Sequence, residues 1–113
     1  MILSKNLHTL KCSACSGKTP KLSKEDILTY LNKIKDWQVN DNSELIYKKF
    51  VFKSFKQSLA FANLVGEIAE KELHHPDLSI GYSYCLILIH THAIKGLSIN
   101  DFILASKIDQ ISI

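Results

Sequence analysis

The chain reads as an α+β protein of two layers, a four-stranded antiparallel sheet carrying helices on one face in the order helix-β-β-helix-β-β-helix. Three observations predict it. Apolar residues recur at helical spacing at 27–34 and 55–73, and a capping-box pattern at Ser98 opens a third helix through Ile108. Strand-like patterns fill the gaps between them, at 37–52 and 78–92. Few of the connections are long enough for the crossovers that parallel strands need, so the strands should pair antiparallel under a helical layer.

The elements follow in order. Ser23 with Asp26 three residues later has the form of a capping box, and Ile27, Leu28, Leu31 and Ile34 continue it as a short helix. Trp37 and Val39 alternate with polar residues, Asp41-Asn42-Ser43 signals a turn, and Leu45 to Phe52 is strand-like, which together describe a hairpin. Ser54 can cap a longer helix from Phe55 to about Leu73. Its apolar stripe is Phe55, Leu59, Ala62, Val65 and Ala69, widened by Phe61, Leu64 and Ile68. Pro76 stops that helix and pushes His75 toward an extended backbone.

Leu78, Ile80, Tyr82 and Tyr84 then alternate with small residues, as in a half-buried strand. Cys85 to Ile89 is apolar at every position, so both faces of that strand should be covered, one of them by a second copy of the chain. Periodicity leaves open whether 78–92 is one strand or a tight hairpin near Tyr82-Ser83. Ser98-Ile99-Asn100-Asp101 repeats the capping-box form and opens a helix through Ile108.

At 113 residues the chain is one domain. Residues 1–22 lack a period and read as a flexible N-terminal arm, leaving 23–113 as the folded unit. Net charge is a mild +3, and all fourteen residues in the Lys+Arg count are scattered Lys. Arg is the preferred reader of phosphate and base edges, so direct nucleic-acid binding is not expected. No apolar run is long enough to span a bilayer, and the first residues lack a secretory-signal pattern. The expected location is the cytoplasm.

Chemistry concentrates in about thirty residues. Glu70-x-x-x-His74-His75-Pro76 is followed by His90-Thr91-His92-x-x-x-Gly96-Leu97-Ser98-x-x-Asp101. Imidazole both gives and takes protons near neutral pH, so histidines gathered this way point to proton transfer. On a strand His90 and His92 project to one face and Thr91 to the other. A metal site competes poorly, because adjacent His74 and His75 rarely aim at one ion and no His-Glu-x-x-His helix is present. Cys12-x-x-Cys15 lacks the second pair that a structural zinc needs and lies in the arm, so it is read as nonessential to the chemistry, with a weak metal or disulfide role left open. Cys85 is expected as a small core residue.

These motifs resemble the pterin-4a-carbinolamine dehydratase family. Glu70-Lys71-x-x-His74-His75-Pro76-Asp77, Tyr82, Thr91-His92-x-x-x-Gly96-Leu97-Ser98-x-x-Asp101 and Leu104-Ala105-Ser106-x-Ile108 carry the resemblance, over about residues 22–110. Trp37 falls where the family has a Trp in its first strand. Cys85 stands where a β-branched residue is usual, and His90 where a small or hydroxyl residue is common. The resemblance implies the same fold, a homodimer or homotetramer, and loss of water from 4a-hydroxytetrahydropterin to give quinonoid dihydropterin. No cofactor is implied. The substrate would come from a pterin-dependent aromatic amino acid hydroxylase, in tetrahydrobiopterin recycling.

The implied roles place His74 and His92 in acid/base work and His75 in substrate positioning. Glu70 would orient His74, and Asp101 would orient His92. Trp37 would wall the flat ring, with Thr91 and Pro76 completing the substrate site. Some members of the family also serve as dimerisation cofactors for a homeodomain transcription factor through an oligomer face. That alternative makes the apolar strand matter and the histidines incidental.

Overall fold

The computed structural model of the chain describes residues 6–13 and 17–112, and Ser23 opens its first helix. Ser23 Oγ accepts the Asp26 N–H at 3.2 Å, so the first turn of α1 (Lys24–Leu31) has one orphan donor satisfied. Two strands, β1 (Gln38–Val39) and β2 (Ile46–Val51), follow as an antiparallel hairpin. Its turn is held from within. The Asn40 side-chain oxygen accepts the N–H groups of Glu44 at 2.8 Å and Leu45 at 3.0 Å.

Ser54 caps α2 (Phe55–Glu72) by accepting the Gln57 N–H at 3.2 Å. The buried face of α2 is Ser58, Phe61, Ala62, Val65 and Ala69. This shifts the expected stripe, since Phe55 and Leu59 are 48% and 42% exposed. Phe61 sets the rotation, its ring lying 4.6 Å from that of Phe50 and 5.1 Å from that of Phe52. Ser58 takes the inward place at the start of the helix, where its hydroxyl reaches the Tyr82 carbonyl at 3.2 Å.

The stretch left open in the sequence is a hairpin. β3 (Asp77–Gly81) and β4 (Tyr84–Ile89) pair antiparallel through Gly81 and Tyr84, leaving Tyr82-Ser83 as a two-residue turn. A Cβ at Gly81 would strike the Tyr84 ring, so any larger residue there would have to displace that ring. The sheet order is β1-β2-β4-β3, antiparallel throughout.

The alternation of β4 splits its apolar run between two environments. Cys85, Ile87 and Ile89 are sealed beneath the helices with Ile46. Leu86 and Leu88 share the other face with Tyr47 and Val51, and that face carries no helix, so Val51 is 73% exposed. The last helix, α3 (Ile99–Asp109), is buried along most of its length, and Phe102 stacks on Tyr30 of α1 at 5.4 Å. Among the described residues no helix is long and apolar enough to cross a membrane.

The N-terminal arm differs from its expectation over residues 6–13. Leu7, in a 3-10 turn at Leu7–Thr9, is 2% exposed and belongs to the core. The Cys12 N–H bonds Glu72 at 2.9 Å, and Ser13 and Asn100 exchange two hydrogen bonds at 3.0 and 2.8 Å. One apolar anchor and four bonded backbone groups, including the His8 carbonyl that accepts from Lys107, tie the segment to the ends of α2 and α3, a long-range arrangement that local periodicity does not encode. Cys15, half of the Cys12-x-x-Cys15 motif, lies outside the described residues.

Candidate active site

The site is built where α2 ends. Leu73 adopts the left-handed conformation, with φ 56° and ψ 36°, and the His74 N–H bonds back to the Ala69 carbonyl at 3.2 Å. This is the hydrogen bond of a Schellman cap, made without the usual glycine. The left-handed residue takes the chain off the helical path, so two adjacent histidines face different surroundings. His74 is 6% exposed, whereas His75 stays in solvent.

Asp101 receives His74. Its Oδ1 lies 2.6 Å from His74 Nε2, and its Oδ2 accepts the Thr91 hydroxyl and the Ser98 N–H, both at 2.8 Å. The carboxylate is fully buried, a costly position unless its lone pairs are engaged, as here. Because the Thr91 proton is given to Asp101, the 2.8 Å contact between the Thr91 and Ser98 hydroxyls is donated by Ser98. Thr91 is fixed in turn by its N–H bond to the Gly96 carbonyl at 2.9 Å.

His92 begins a 3-10 turn (His92–Ile94) just beyond β4 and is exposed. The rings of His90 and His92 lie 4.0 Å apart, centroid to centroid, and His90 Nε2 is 3.7 Å from Asp77 Oδ2. On the far side of the cleft His75 Nε2 meets Glu70 Oε2 at 2.5 Å. The cleft itself, of about 370 Å3, is lined by Leu73, His74, His75, His90, Thr91, His92 and Ala93. Four imidazoles therefore face one space that suits a small molecule. Among the described residues no three His, Cys, Asp or Glu side chains are grouped so as to hold a metal ion.

Several expected pairings are redrawn by this geometry. Asp101 orients His74 rather than His92, and Glu70 pairs with His75 rather than His74. The cause is the left-handed Leu73, which breaks the i,i+4 spacing between Glu70 and His74. Thr91 lines the cleft, but its hydroxyl is committed to Asp101 and Ser98. Pro76 is half-buried ahead of β3, outside the lining of the cleft.

Trp37 lies elsewhere. It is buried in the core and its indole N–H bonds the Asp109 carboxylate at 3.0 and 3.1 Å. Asp109 ends α3 and Asp101 begins it, so about 12 Å of helix separates the two carboxylates. Ser98, expected only as a helix cap, joins the site through the backbone and hydroxyl bonds just described. Its capping pattern was the available signal. Leu73 carried none, because its conformation is one that sequence associates with glycine.

Comparison with known proteins identifies the family. The family model for pterin 4 alpha carbinolamine dehydratase matches residues 20–111. A Rickettsia bellii protein provisionally named pterin-4-alpha-carbinolamine dehydratase is 44% identical over 110 residues, covering 96% of each chain. A Rickettsia canadensis protein with the same provisional name is 47% identical over 104 residues, covering 91% of this chain and 94% of its own. Among solved structures, one titled as a transcriptional coactivator/pterin dehydratase from Brucella melitensis superposes with a TM-score of 0.76. It shares 28% identity and covers 80% of this chain and 96% of its own. With one family matching nearly from end to end and relatives this similar across their full length, the chain belongs to the pterin 4 alpha carbinolamine dehydratase family.

Proposed function

We propose that this protein dehydrates 4a-hydroxytetrahydropterin to quinonoid dihydropterin by histidine general acid/base catalysis. The observation that carries the reading is the convergence of His74, His75 and His92 on one cleft, with buried Asp101 fixing His74. The reaction needs two proton transfers. A base takes the N5 proton, whose bonding electrons form the C4a–N5 double bond. The C4a–O bond breaks, and an acid protonates the departing oxygen to give water. Imidazole can fill either role, and each general acid or base contributes about a hundred- to ten-thousand-fold.

His74 and His92 are the pair that moves these protons. His74 is held in orientation by the ionic hydrogen bond to Asp101, which Thr91 and Ser98 hold in place. His75, paired to Glu70, positions the ring system. The balanced step needs no cofactor. Such an enzyme would act in the cytoplasm on the product of an aromatic amino acid hydroxylase, returning tetrahydrobiopterin to use.

Stopped-flow absorbance of freshly generated 4a-hydroxytetrahydropterin tests the reading. Wild type should accelerate formation of the quinonoid form, unaffected by chelator, and His74→Ala and His92→Ala should each lose at least a hundredfold. Full activity in both variants would falsify the assignment.

The helix-free face of the sheet supports a second element of the proposal. Tyr47, Val51, Leu86 and Leu88, with Lys49 and Ser79 among them, leave a partly apolar surface there that a second copy of the chain would cover, giving a dimer or tetramer. Val51→Lys should then shift the mass in solution toward monomer. Retention of activity with loss of a protein partner in that variant would favour the binding role instead.

A further inference from the structure

The catalytic cleft is not the only space that His90 and His92 line. A second pocket, also of about 370 Å3, shares both imidazoles and is completed by Glu44, Leu45 and Lys95. Its two charged residues stand on turns of fixed shape. Glu44 is presented by the β1–β2 turn, where Asn40 binds the Glu44 and Leu45 N–H groups and Ser43 is left-handed with φ 56°. Lys95 is left-handed with φ 49°, and its N–H bonds the His92 carbonyl at 3.2 Å. The pairing of Ile46 with Ile89 brings Leu45 to the end of β4 that leads into His90. Among the described residues neither the Glu44 carboxylate nor the Lys95 ammonium has a hydrogen bond or ion pair.

We propose that Glu44 and Lys95 form a recognition subsite, continuous with the catalytic cleft, that reads the pyrimidine edge of the pterin. The inference rests on the pterin reading above and adds the residues that select the ring. That edge presents two adjacent N–H donors, the 2-amino group and N3–H, followed by the C4 carbonyl acceptor. A carboxylate can accept both N–H groups side by side, and an ammonium can donate to the carbonyl. The order fits the chain. C4 adjoins C4a, the reacting carbon, and Lys95 lies on the same turn as His92. Glu44 is left for the amino end of the ring. Leu45 and the two imidazoles supply flat and apolar surface between them.

Fluorescence titration of the full chain with 7,8-dihydropterin and with 7,8-dihydrolumazine, which has a carbonyl in place of the 2-amino group, tests the subsite apart from the chemistry. Wild type should bind the pterin more tightly. Glu44→Gln should weaken pterin binding about tenfold or more and erase most of the preference, because a charged acceptor of two N–H groups is lost. Lys95→Met should weaken both ligands to a similar degree, since both retain the C4 carbonyl. In turnover, the Glu44→Gln loss should fall on KM more than on kcat. Both side chains are exposed, so thermal melts should match wild type and show that the variants fold.

An unchanged pterin affinity and preference in Glu44→Gln, with wild type active as a dehydratase, would overturn the subsite and leave the dehydratase reading standing. Wild type that binds pterin selectively through Glu44 without accelerating dehydration would support the subsite and remove the reaction. Failure of wild type both to bind and to accelerate would overturn both.

Discussion

Asp101 Oδ1 lies 2.6 Å from His74 Nε2, and the carboxylate that makes this contact also accepts the Ser98 N–H at the start of α3. One buried side chain thus caps a helix and orients the histidine for which we propose an acid/base role. Asp101→Asn should therefore show two separable losses. An amide NH2 in place of one carboxylate oxygen must face either His74 or the donors of Thr91 and Ser98, so at least one buried hydrogen bond is lost, costing about 3 kcal/mol and lowering the midpoint by roughly 10 °C. Well below that midpoint, kcat should still fall about a hundredfold or more, since the amide favours the wrong imidazole tautomer. Calorimetry and turnover at low temperature check the two effects.

The Glu70–His75 hydrogen bond lies in solvent, so it should contribute little to stability. Glu70→Gln should melt with wild type. If Glu70 acts by positioning His75, the variant should raise KM several-fold with a smaller change in kcat. Combined with His75→Ala it should add almost nothing further. Steady-state kinetics across the double-mutant cycle decide this, and full additivity would separate the two residues.

Trp37 should behave as a core residue. Trp37→Phe leaves the Asp109 carboxylate with Lys48 alone, opens space in the core, and should cost about 2 kcal/mol. KM for the pterin should stay within about twofold. A large rise in KM at unchanged stability would return Trp37 to the substrate wall that the family resemblance implied.

Alkaline pH should weaken the fold through two groups that do not line the cleft. Burial pushes the Cys85 thiol up, and burial followed by the nearby Asp26 carboxylate pushes the Tyr30 phenol up. The unfolded chain therefore releases both protons at lower pH than the folded one. Stability from these groups is intact below about pH 8.5 and falls as pH rises through the unfolded thiol and phenol values near 8.5 and 10, until the folded values are passed. Urea midpoints of wild type should decline across this range, and Cys85→Val with Tyr30→Phe should flatten the decline.

Much of the fold was legible because its signals are local. The three helix starts lie at Ser23, Ser54 and Ser98, each a residue that can satisfy an orphan N–H, and the strands follow from alternation. The rotation of α2 was less legible, since Phe55 and Phe61 are equally apolar and only contact with Phe50 and Phe52 chooses between them. In the site, the clustering of the histidines could be read and their partners could not. Which carboxylate meets which imidazole depends on the backbone at Leu73, and a leucine gives no hint of a left-handed turn. Trp37 was assigned by resemblance, whereas its neighbours were decided by where α3 ends.

The segment before the predicted domain boundary has a practical consequence. Leu7 fills a place in the core, and Cys12 and Ser13 occupy the polar groups of Glu72 and Asn100. Those two residues lie two and one positions from His74 and Asp101. A protein trimmed to begin at residue 23 would expose a hydrophobic vacancy and leave Glu72 and Asn100 without these partners behind the histidine–aspartate pair. Measured by its interactions, the unit that holds the site begins no later than Leu7, and expression designs that treat the arm as dispensable would remove part of its supporting wall.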